Sequence, residues 1–338
     1  MVSALYGALE SGLIYALMAL GVYLTFRVLD FPDLTVDGSF VTGGAVSAIM
    51  IMNGSDPFLA TLMGGVAGFL AGCITGLLHT KGNINPLLSG ILMMTALYSI
   101  NLRIMGQPNI PLLNQTTVFK EIGSWWEGLQ IDEYLLKPFT ALGLGEYAPK
   151  TFLVIISMIF IVFMLKKIMD WLLRTEAGIA LRATGDNARM VKSLSANTGS
   201  YIVVGLGLSN GLVALSGALY AQYNGFSDVN LGIGMIIVGL ASVIIGEGLF
   251  GKKSVVRATL AVILGAILYR IIIALALRVD FLDASDMKLI TAVIVIGALV
   301  FPKWWKEFKE KRKRYTRRKT LNKQQQEGGE ENASVKSD

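Results

Sequence analysis

Two aspartates stand four residues apart in a short polar stretch between strongly apolar segments. The stretch reads FPDLTVDGSF over residues 31–40, and its carboxylates are those of Asp33 and Asp37. A carboxylate without a partner or water is costly in an apolar environment. These side chains must therefore have hydrogen-bond donors or cations close to them.

The same phrase recurs later in the chain. Residues 226–234 read FSDVNLGIG, and Asp228 stands 195 residues after Asp33. Both copies have Phe, Asp and two aliphatic residues at matching offsets, and both lead into an apolar segment that contains glycine. The match predicts an internal repeat.

Aspartates in such a setting have two available roles. An Asp caps a helix by accepting backbone N–H bonds near the positive end of the helix dipole, or it holds a polar solute or an ion along a path. Both roles can coexist, because a helix that begins inside a membrane must have its first N–H groups satisfied by protein or by a wet cavity. We predict that the two phrases mark broken or re-entrant helix ends beside a translocation path. Six residues are candidates for that path: Asp33, Thr35, Asp37, Ser39, Asp228 and Asn230.

A metal site or an ATP site is not expected in this chain. The single His79 and single Cys73 exclude the usual zinc and Cys/His catalytic sets. The stretch GEGLFGKKS has the Gly-to-Lys spacing of a P-loop, but Lys253 stands where Ser or Thr would hold the metal. We predict no cofactor bound by this chain, and a cytoplasmic turn at residues 246–251.

The composition is that of a membrane protein. The 338 residues are 53% hydrophobic and 16% charged, with a mean hydropathy of +0.58. Residues 303–338 hold 12 basic and six acidic residues and so carry the whole net charge of +6. A nucleic-acid partner is therefore not expected. The tail at 303–338 is predicted to be largely disordered, cytoplasmic and in contact with membrane lipid.

About nine segments are long and apolar enough to cross a bilayer or to re-enter it. They are 3–26, 34–53, 57–79, 86–106, 151–173, 199–223, 231–249, 255–277 and 287–302. Lys and Arg at 166–197, at 252–257 and in the tail place these regions in the cytoplasm by the positive-inside rule. The N-terminus and the 107–150 loop then lie outside.

This count gives the repeat an orientation. Five predicted spans separate the two copies of the phrase, so the copies enter the membrane from opposite sides. Inverted repeats of this kind place broken helices near the membrane midplane around a permeation path. The predicted fold is an all-α polytopic membrane protein with an inverted repeat, in which residues 1–302 form the transmembrane domain.

The longest predicted cytoplasmic loop, at residues 174–197, has the pattern of two short amphipathic helices. A turn between them is predicted at Gly185, Asp186 and Asn187. Helices of this type lie on a membrane surface or insert into the groove of a partner protein. The pattern leaves both alternatives open.

The sequence resembles one family of ABC importer permeases, the branched-chain amino-acid type that includes the ribose-type sugar permeases. GIALRATGDNARMVKSLSANT looks like the cytoplasmic coupling segment of that family. GLIYALMALGVYLTFRVLDFPDLTVDGSFVTGGA and GMIIVGLASVIIGEGLFG look like its second-helix region and the helix after the coupling segment. The likeness covers about residues 5 to 300.

The resemblance implies a transport subunit, not an enzyme, in a bacterial cytoplasmic membrane. Its implied partners are a second permease subunit, a cytoplasmic ATPase dimer that binds ATP and Mg²⁺, and an extracellular substrate-binding protein. The implied solute is small and polar, an amino acid of aromatic or branched-chain type. Residues carried over to ATPase coupling are Glu176, Gly178, Arg182, Gly185, Asp186 and Asn187.

Other functions stay open at the level of sequence. An ion-coupled secondary transporter also has inverted repeats, but it uses its carboxylates as ion or proton sites and needs no coupling loop. An ABC permease for a sugar or a nucleoside is a further alternative. A membrane enzyme is disfavoured because no nucleophile, metal or paired-base set is present.

Overall fold

The computed structural model describes residues 2–128, 132, 151–277, 289–294 and 296–297. The chain divides into two units, Met1–Ala292 and Val293–Asp338, and the first unit contains the helices and strands between Val2 and Ala276. The described part confirms the all-α class. The tail at 303–338 and most of the predicted span at 287–302 lie outside the described residues.

Ten α-helices whose bounds are described follow one another between Val2 and Ala276. They are α1 (Val2–Tyr23), α2 (Thr35–Met52), α3 (Pro57–Thr80), α4 (Pro86–Met105), α5 (Val118–Gly128), α6 (Leu153–Leu172), α7 (Glu176–Ser193), α8 (Thr198–Asn224), α9 (Met235–Phe250) and α10 (Val255–Ala276). Helix α1 continues as a π-helix, Leu24–Val28. Two short strands, β1 (Asn109–Pro111) and β2 (Phe226–Asp228), pair antiparallel with Ile110 opposite Ser227.

Six helical segments of the described chain are long and apolar enough to cross a membrane. They are Ala4–Val28, Thr35–Met52, Pro57–Thr80, Pro86–Met105, Thr198–Asn224 and Val255–Ala276. The predicted count of about nine is not confirmed. Helix α6 carries Lys166, Lys167 and Asp170, and α9 has only 16 residues because the chain before Met235 forms turns.

The turn predicted at residues 246–251 is wrong. Helix α9 continues to Phe250, and the chain leaves it at Gly251, where φ is +78°. Gly246 lies inside this helix and packs against the backbone of α10. A Cβ on Gly246 would come within 2.1 Å of the Ala261 carbonyl oxygen. Helix packing, and not turn formation, accounts for this glycine.

The inverted repeat is present in the order of the helices. Helices α1, α2 and α3 recur as α8, α9 and α10, with starts 196, 200 and 198 residues later. Helices α1 and α8 run antiparallel, since Ser209 donates to the Gly21 carbonyl and Ser216 to the Ile14 carbonyl, both at 2.7 Å. The third helix of each set packs on the first helix of the other, α3 on α8 and α10 on α1.

Helix α3 approaches α8 closely along a face of glycines spaced four residues apart, a spacing that aligns residues on one side of a helix. These are Gly64, Gly68, Gly72 and Gly76. A Cβ at Gly72 would lie 2.2 Å from the Leu206 carbonyl oxygen, and one at Gly68 would lie 2.2 Å from the Ala214 Cβ. Small residues at such a face let two backbones approach in a membrane, where apolar side chains gain little by leaving lipid.

Polar side chains also link the membrane helices. Lys166 forms a buried ion pair with Asp170, whose other oxygen accepts a hydrogen bond from Thr259 of α10 at 2.7 Å. A second link joins α10 to α1, where Arg270 donates to Ser11 at 2.9 Å and lies over the ring of Tyr15. Charged groups inside a membrane bundle are tolerated when they are paired in this way.

A methyl group on the glycine face should separate α3 from α8. We expect Gly72→Ala to destabilise the protein by about 1–3 kcal/mol, the usual cost of overpacking, because the new Cβ meets backbone that cannot rotate away. The measurement is the thermal midpoint of the purified protein in detergent. Gly248→Ala is the matched control, since no atom lies within 4 Å of its Cβ position. Equal midpoints for the two variants would contradict the close-packing interpretation.

Candidate functional site

The two repeated phrases form the same local hydrogen bond. Asp33 Oδ1 accepts from the backbone N–H of Thr35 at 2.9 Å, and Asp228 Oδ1 accepts from that of Asn230 at 2.7 Å. Helix α2 begins at Thr35 directly after the first bond, whereas turns at 231–234 separate the second bond from α9. Asp33 therefore lies at the entry into α2, and Asp228 lies at the beginning of the turns that lead to α9.

Asp33 is completely buried in the bundle. Its second oxygen accepts a hydrogen bond from the Asn210 side chain of α8 at 2.7 Å. The chain reaches this point by turning back, since Leu29 contacts Gly205, which lies more than one turn before Asn210 on α8. The start of α2 is therefore buried inside the protein.

Asp37, in the first turn of α2, caps the helix of the other half. Its Oδ2 accepts from the Gly234 N–H at 2.9 Å and its Oδ1 from the Ile236 N–H at 2.7 Å. Gly234 has φ +89°, a conformation that favours glycine. The carboxylate lies at the positive end of the α9 dipole, which stabilises its charge. The starts of α2 and α9 therefore meet at one side chain.

The backbone at the start of α2 also lies close to the backbone that precedes α9. A Cβ on Gly232 would lie 2.1 Å from the Asp37 carbonyl oxygen. Gly232 stands 195 residues after Asp37, which is the offset of the two phrases. Equivalent positions of the two repeats therefore touch each other at the centre of the fold, and glycine is required on one side of that contact.

A cavity of about 270 Å³ opens beside this junction. It lies between α2, α4 and the segment before α9, and its walls are mainly apolar. The polar residues on its lining are Asp37, Thr95, Tyr98 and Asn101, and the apolar ones include Val41, Met94, Val229 and Ile233. A small apolar pocket with a few convergent polar groups is typical of a site for a small molecule.

The six predicted path residues have different positions. Only Asp37 lines the cavity. Asp33, Thr35 and Ser39 are fully buried, Thr35 against Thr75 at 2.9 Å, and the Ser39 hydroxyl has no hydrogen-bond partner among the described residues. Asp228 lies in β2 beside Asn109 at 3.4 Å, and Asn230 is exposed. The role of these residues in transport stays a prediction.

Three cavity residues were missed by the sequence reasoning. Thr95, Tyr98 and Asn101 stand three residues apart on α4, so they share one side of that helix. Asn101 is fixed in place, because it donates to the Gly38 carbonyl at 3.1 Å and accepts from Thr42 at 2.9 Å. A polar face at this spacing in an otherwise apolar span was the available signal.

The loop at residues 174–197 has the predicted helix, break and helix. Helix α7 is interrupted at Asn187, whose φ and ψ are −157° and 85°, and the side chain of Asn187 then accepts from the Met190 N–H at 3.1 Å. At the other end, Thr175 caps the first part by accepting from the Gly178 N–H at 3.2 Å. The break lies at the end of the predicted turn.

Two glycines seat α7 on the ends of membrane helices. A Cβ on Gly178 would lie 2.1 Å from the Leu172 carbonyl oxygen at the end of α6. A Cβ on Gly185 would lie 2.0 Å from the Val28 carbonyl oxygen at the end of the π-helix. Of the other predicted coupling residues, Glu176, Asp186 and Asn187 are exposed and Arg182 is half-buried. A displacement of α7 would therefore act directly on α1 and α6.

Comparison with known proteins identifies the family to which the sequence is similar. Residues 4–301 match the family described as branched-chain amino acid transport system / permease component. A tyrosine transport system permease protein of Clostridioides difficile is 43% identical over 297 residues, which cover 88% of this chain and 90% of the relative. An uncharacterized protein of Rickettsia prowazekii is 34% identical over 296 residues, 86% of this chain and 95% of the relative. An autoinducer 2 import system permease protein of Yersinia pseudotuberculosis is 25% identical over 296 residues, 86% of this chain and 75% of the relative. No solved structure matches the chain.

Removal of the Asp37 carboxylate should loosen the start of α9. We expect Asp37→Ala to speed amide hydrogen exchange at residues 234–238 roughly 2- to 30-fold, the equivalent of about 0.5–2 kcal/mol for a lost cap. Asp37→Asn keeps one acceptor oxygen and should have a smaller effect. Asp56→Ala is the control, because Asp56 caps α3 through the Leu59 N–H at 2.8 Å. Unchanged exchange at 234–238 in Asp37→Ala would exclude the capping role.

Proposed function

This chain belongs to the family of branched-chain amino acid transport system permease components, multi-pass proteins of the cytoplasmic membrane, and we propose that it is the membrane-spanning subunit of an ABC importer for an amino acid with an aromatic or branched apolar side chain. The observation that carries the solute class is the cavity beside Asp37, which combines one carboxylate with apolar walls. The 43% identical tyrosine transport permease supports an aromatic solute.

The chemistry of the cavity suits an amino acid. Each oxygen of Asp37 accepts one backbone N–H, and a carboxylate oxygen has a second lone pair, which is free for the ammonium group of a solute. The apolar side chain of the solute would lie against Val41, Met94 and Ile233, with the ring of Tyr98 beside it. A volume of about 270 Å³ accommodates one amino acid and excludes a peptide.

The proposed energy source is ATP, bound with Mg²⁺ by a separate cytoplasmic ATPase dimer. Docking of the ATPase on α7 would transmit its closure through Gly185 to Val28 and through Gly178 to Leu172. The chain after Val28 leads within seven residues to the start of α2, and the junction at Asp37 follows in the first turn of that helix. A second permease subunit and an extracellular substrate-binding protein complete the proposed assembly, which would alternate between outward-open and inward-open states.

Two rivals are less well supported. An ion-coupled secondary transporter is the first rival, and it is disfavoured because residues 4–301 match the family of branched-chain amino acid transport system permease components. A permease for a sugar or a nucleoside is the second rival. Its support is the 25% identical relative that is named as an autoinducer 2 import system permease protein. A polyhydroxy solute would need more hydrogen-bonding side chains than this mostly apolar lining presents.

Thiol labelling tests the cavity as the solute site. In a Cys73→Ala background, we expect Thr95→Cys to react with a small water-soluble maleimide, and we expect tyrosine or leucine to slow the reaction at least about tenfold when the site is saturated. Ser39→Cys is the control, because Ser39 is buried away from the cavity and should stay unlabelled. Labelling of Thr95→Cys that no amino acid slows would contradict the proposed solute, and no labelling with or without ATP would contradict a wet path at α4.

ATPase docking is tested on the second part of α7. Met190 in the second part of α7 and Leu194 directly after the helix are 49% and 73% exposed, so both apolar side chains are accessible to a partner protein. We expect Met190→Asp with Leu194→Asp to abolish most co-purification of the ATPase while leaving the thermal midpoint of the permease within about 2 °C. Leu113→Asp, at a side chain that is 71% exposed near β1, is the matched control. Undiminished co-purification would remove α7 as the docking surface.

A further inference from the structure

A second polar cavity lies at the cytoplasmic ends of the membrane helices. It has a volume of about 570 Å³ and is enclosed by the end of α1, the first part of α7, the end of α9 and the start of α10. Four basic side chains, those of Arg27, Arg182, Lys252 and Lys253, share the lining with the acidic Asp186 and Glu247. Its formal charge is therefore positive. Arg182 and Asp186 are also predicted coupling residues, but the coupling proposed above runs through backbone contacts of Gly178 and Gly185 and does not use the charges of the cavity.

The basic side chains of the cavity differ in whether they have an acidic or hydrogen-bonding partner. Arg27 is paired with Glu247 at 2.6 Å, so these two charges neutralise each other. The Nε of Arg182 is buried and has no hydrogen-bond partner among the described residues. Lys252 and Lys253 are exposed at the edge of the cavity, immediately before the start of α10. Three basic groups thus converge on a space where Asp186 supplies the one remaining acidic group.

The chemistry of this set is that of a phosphate site. A guanidinium offers N–H donors in a fork that matches a phosphate, and lysines add charge at flexible positions. The start of α10 adds its dipole to the same edge, since Ser254 caps the 22-residue helix there. An unpaired buried N–H on Arg182 is satisfied when an anionic oxygen enters the cavity.

Apolar side chains beside the cavity identify the source of the phosphate. Leu249 and Phe250, the last residues of α9, are 69% and 48% exposed directly before the lysines. Apolar groups next to basic ones at the end of a membrane helix match the boundary between acyl chains and headgroups. We propose that this cavity binds the headgroup phosphate of an anionic phospholipid of the cytoplasmic leaflet, with the acyl chains against Leu249 and Phe250.

The lipid would contact both α7 and the segment before α10. Its phosphate would bridge Arg182 on α7 to Lys252 and Lys253 before α10, and Gly185 of the same α7 lies against Val28 at the end of α1. The bound headgroup would therefore hold α7 against the membrane helices independently of the solute. An acidic segment of a partner protein would satisfy the same charges, but it would leave Leu249 and Phe250 exposed.

The test is lipid binding by the full-length purified protein. Native mass spectrometry with phosphatidylglycerol and phosphatidylcholine gives the affinity of each lipid. For Lys252→Gln with Lys253→Gln we expect roughly a 25-fold loss of phosphatidylglycerol binding, from about fivefold per charge near a membrane surface, and no change for phosphatidylcholine. Lys81→Gln with Lys192→Gln removes two exposed charges on the same side of the membrane outside the cavity and should lower phosphatidylglycerol binding much less, because attraction to a bound phosphate falls off within a Debye length.

Further arms identify the ligand. Arg182→Gln should also weaken phosphatidylglycerol binding, and its thermal midpoint shows whether the variant is folded. Leu249→Asn with Phe250→Asn should weaken binding of the lipid without changing how strongly inorganic phosphate competes with it. Wild-type phosphatidylglycerol affinity in the double lysine variant would overturn the proposal. Full displacement of the lipid by millimolar inorganic phosphate would show a free phosphate site instead. Unchanged lipid binding with lost ATPase co-purification would assign the surface to the partner protein and equally overturn it.

Discussion

A helix that begins within a membrane leaves backbone N–H groups that lipid cannot satisfy, and this constraint shapes the centre of the fold. Helix α9 meets it with a side chain from the other half of the molecule, since both oxygens of Asp37 accept its first N–H groups. Helix α2 meets it locally through Asp33, which Asn210 in turn holds in place. The two helix starts are therefore fixed to each other. The shape of the cavity depends on this contact, because residues from both segments line it.

Glycines between α2 and α8 make this arrangement possible. Asn210 reaches Asp33 from a helix that lies close to α2, where a Cβ on Gly43 would come within 1.9 Å of the Ala214 carbonyl oxygen and one on Gly217 within 1.9 Å of the Phe40 carbonyl oxygen. A larger separation of α2 from α8 would move the Asn210 donor away from the buried carboxylate. Close helix packing is therefore a condition for this hydrogen bond.

Much of the fold follows from the sequence because its signals are local. Hydropathy locates the long spans, the repeated Phe-x-Asp phrase locates two identical hydrogen bonds, and the Gly-Asp-Asn turn locates the break of α7 at Asn187. The predictions that depended on tertiary contacts were incomplete or wrong. The sequence does not reveal that Asp37 serves α9, that Thr95 and Tyr98 lie opposite it, or that Gly246 packs on α10, because each of these is a contact between distant segments.

The junction also determines how a solute could bind without disturbing the helix start. Each oxygen of Asp37 accepts one N–H at the start of α9 and keeps a second lone pair. The ammonium group of a solute would use these lone pairs and leave the backbone hydrogen bonds in place. In the proposed mechanism the driving force enters through α7, where Gly178 and Gly185 lie against the ends of α6 and α1. The chain from Val28 to Asp37 would then carry a displacement of α7 to the junction.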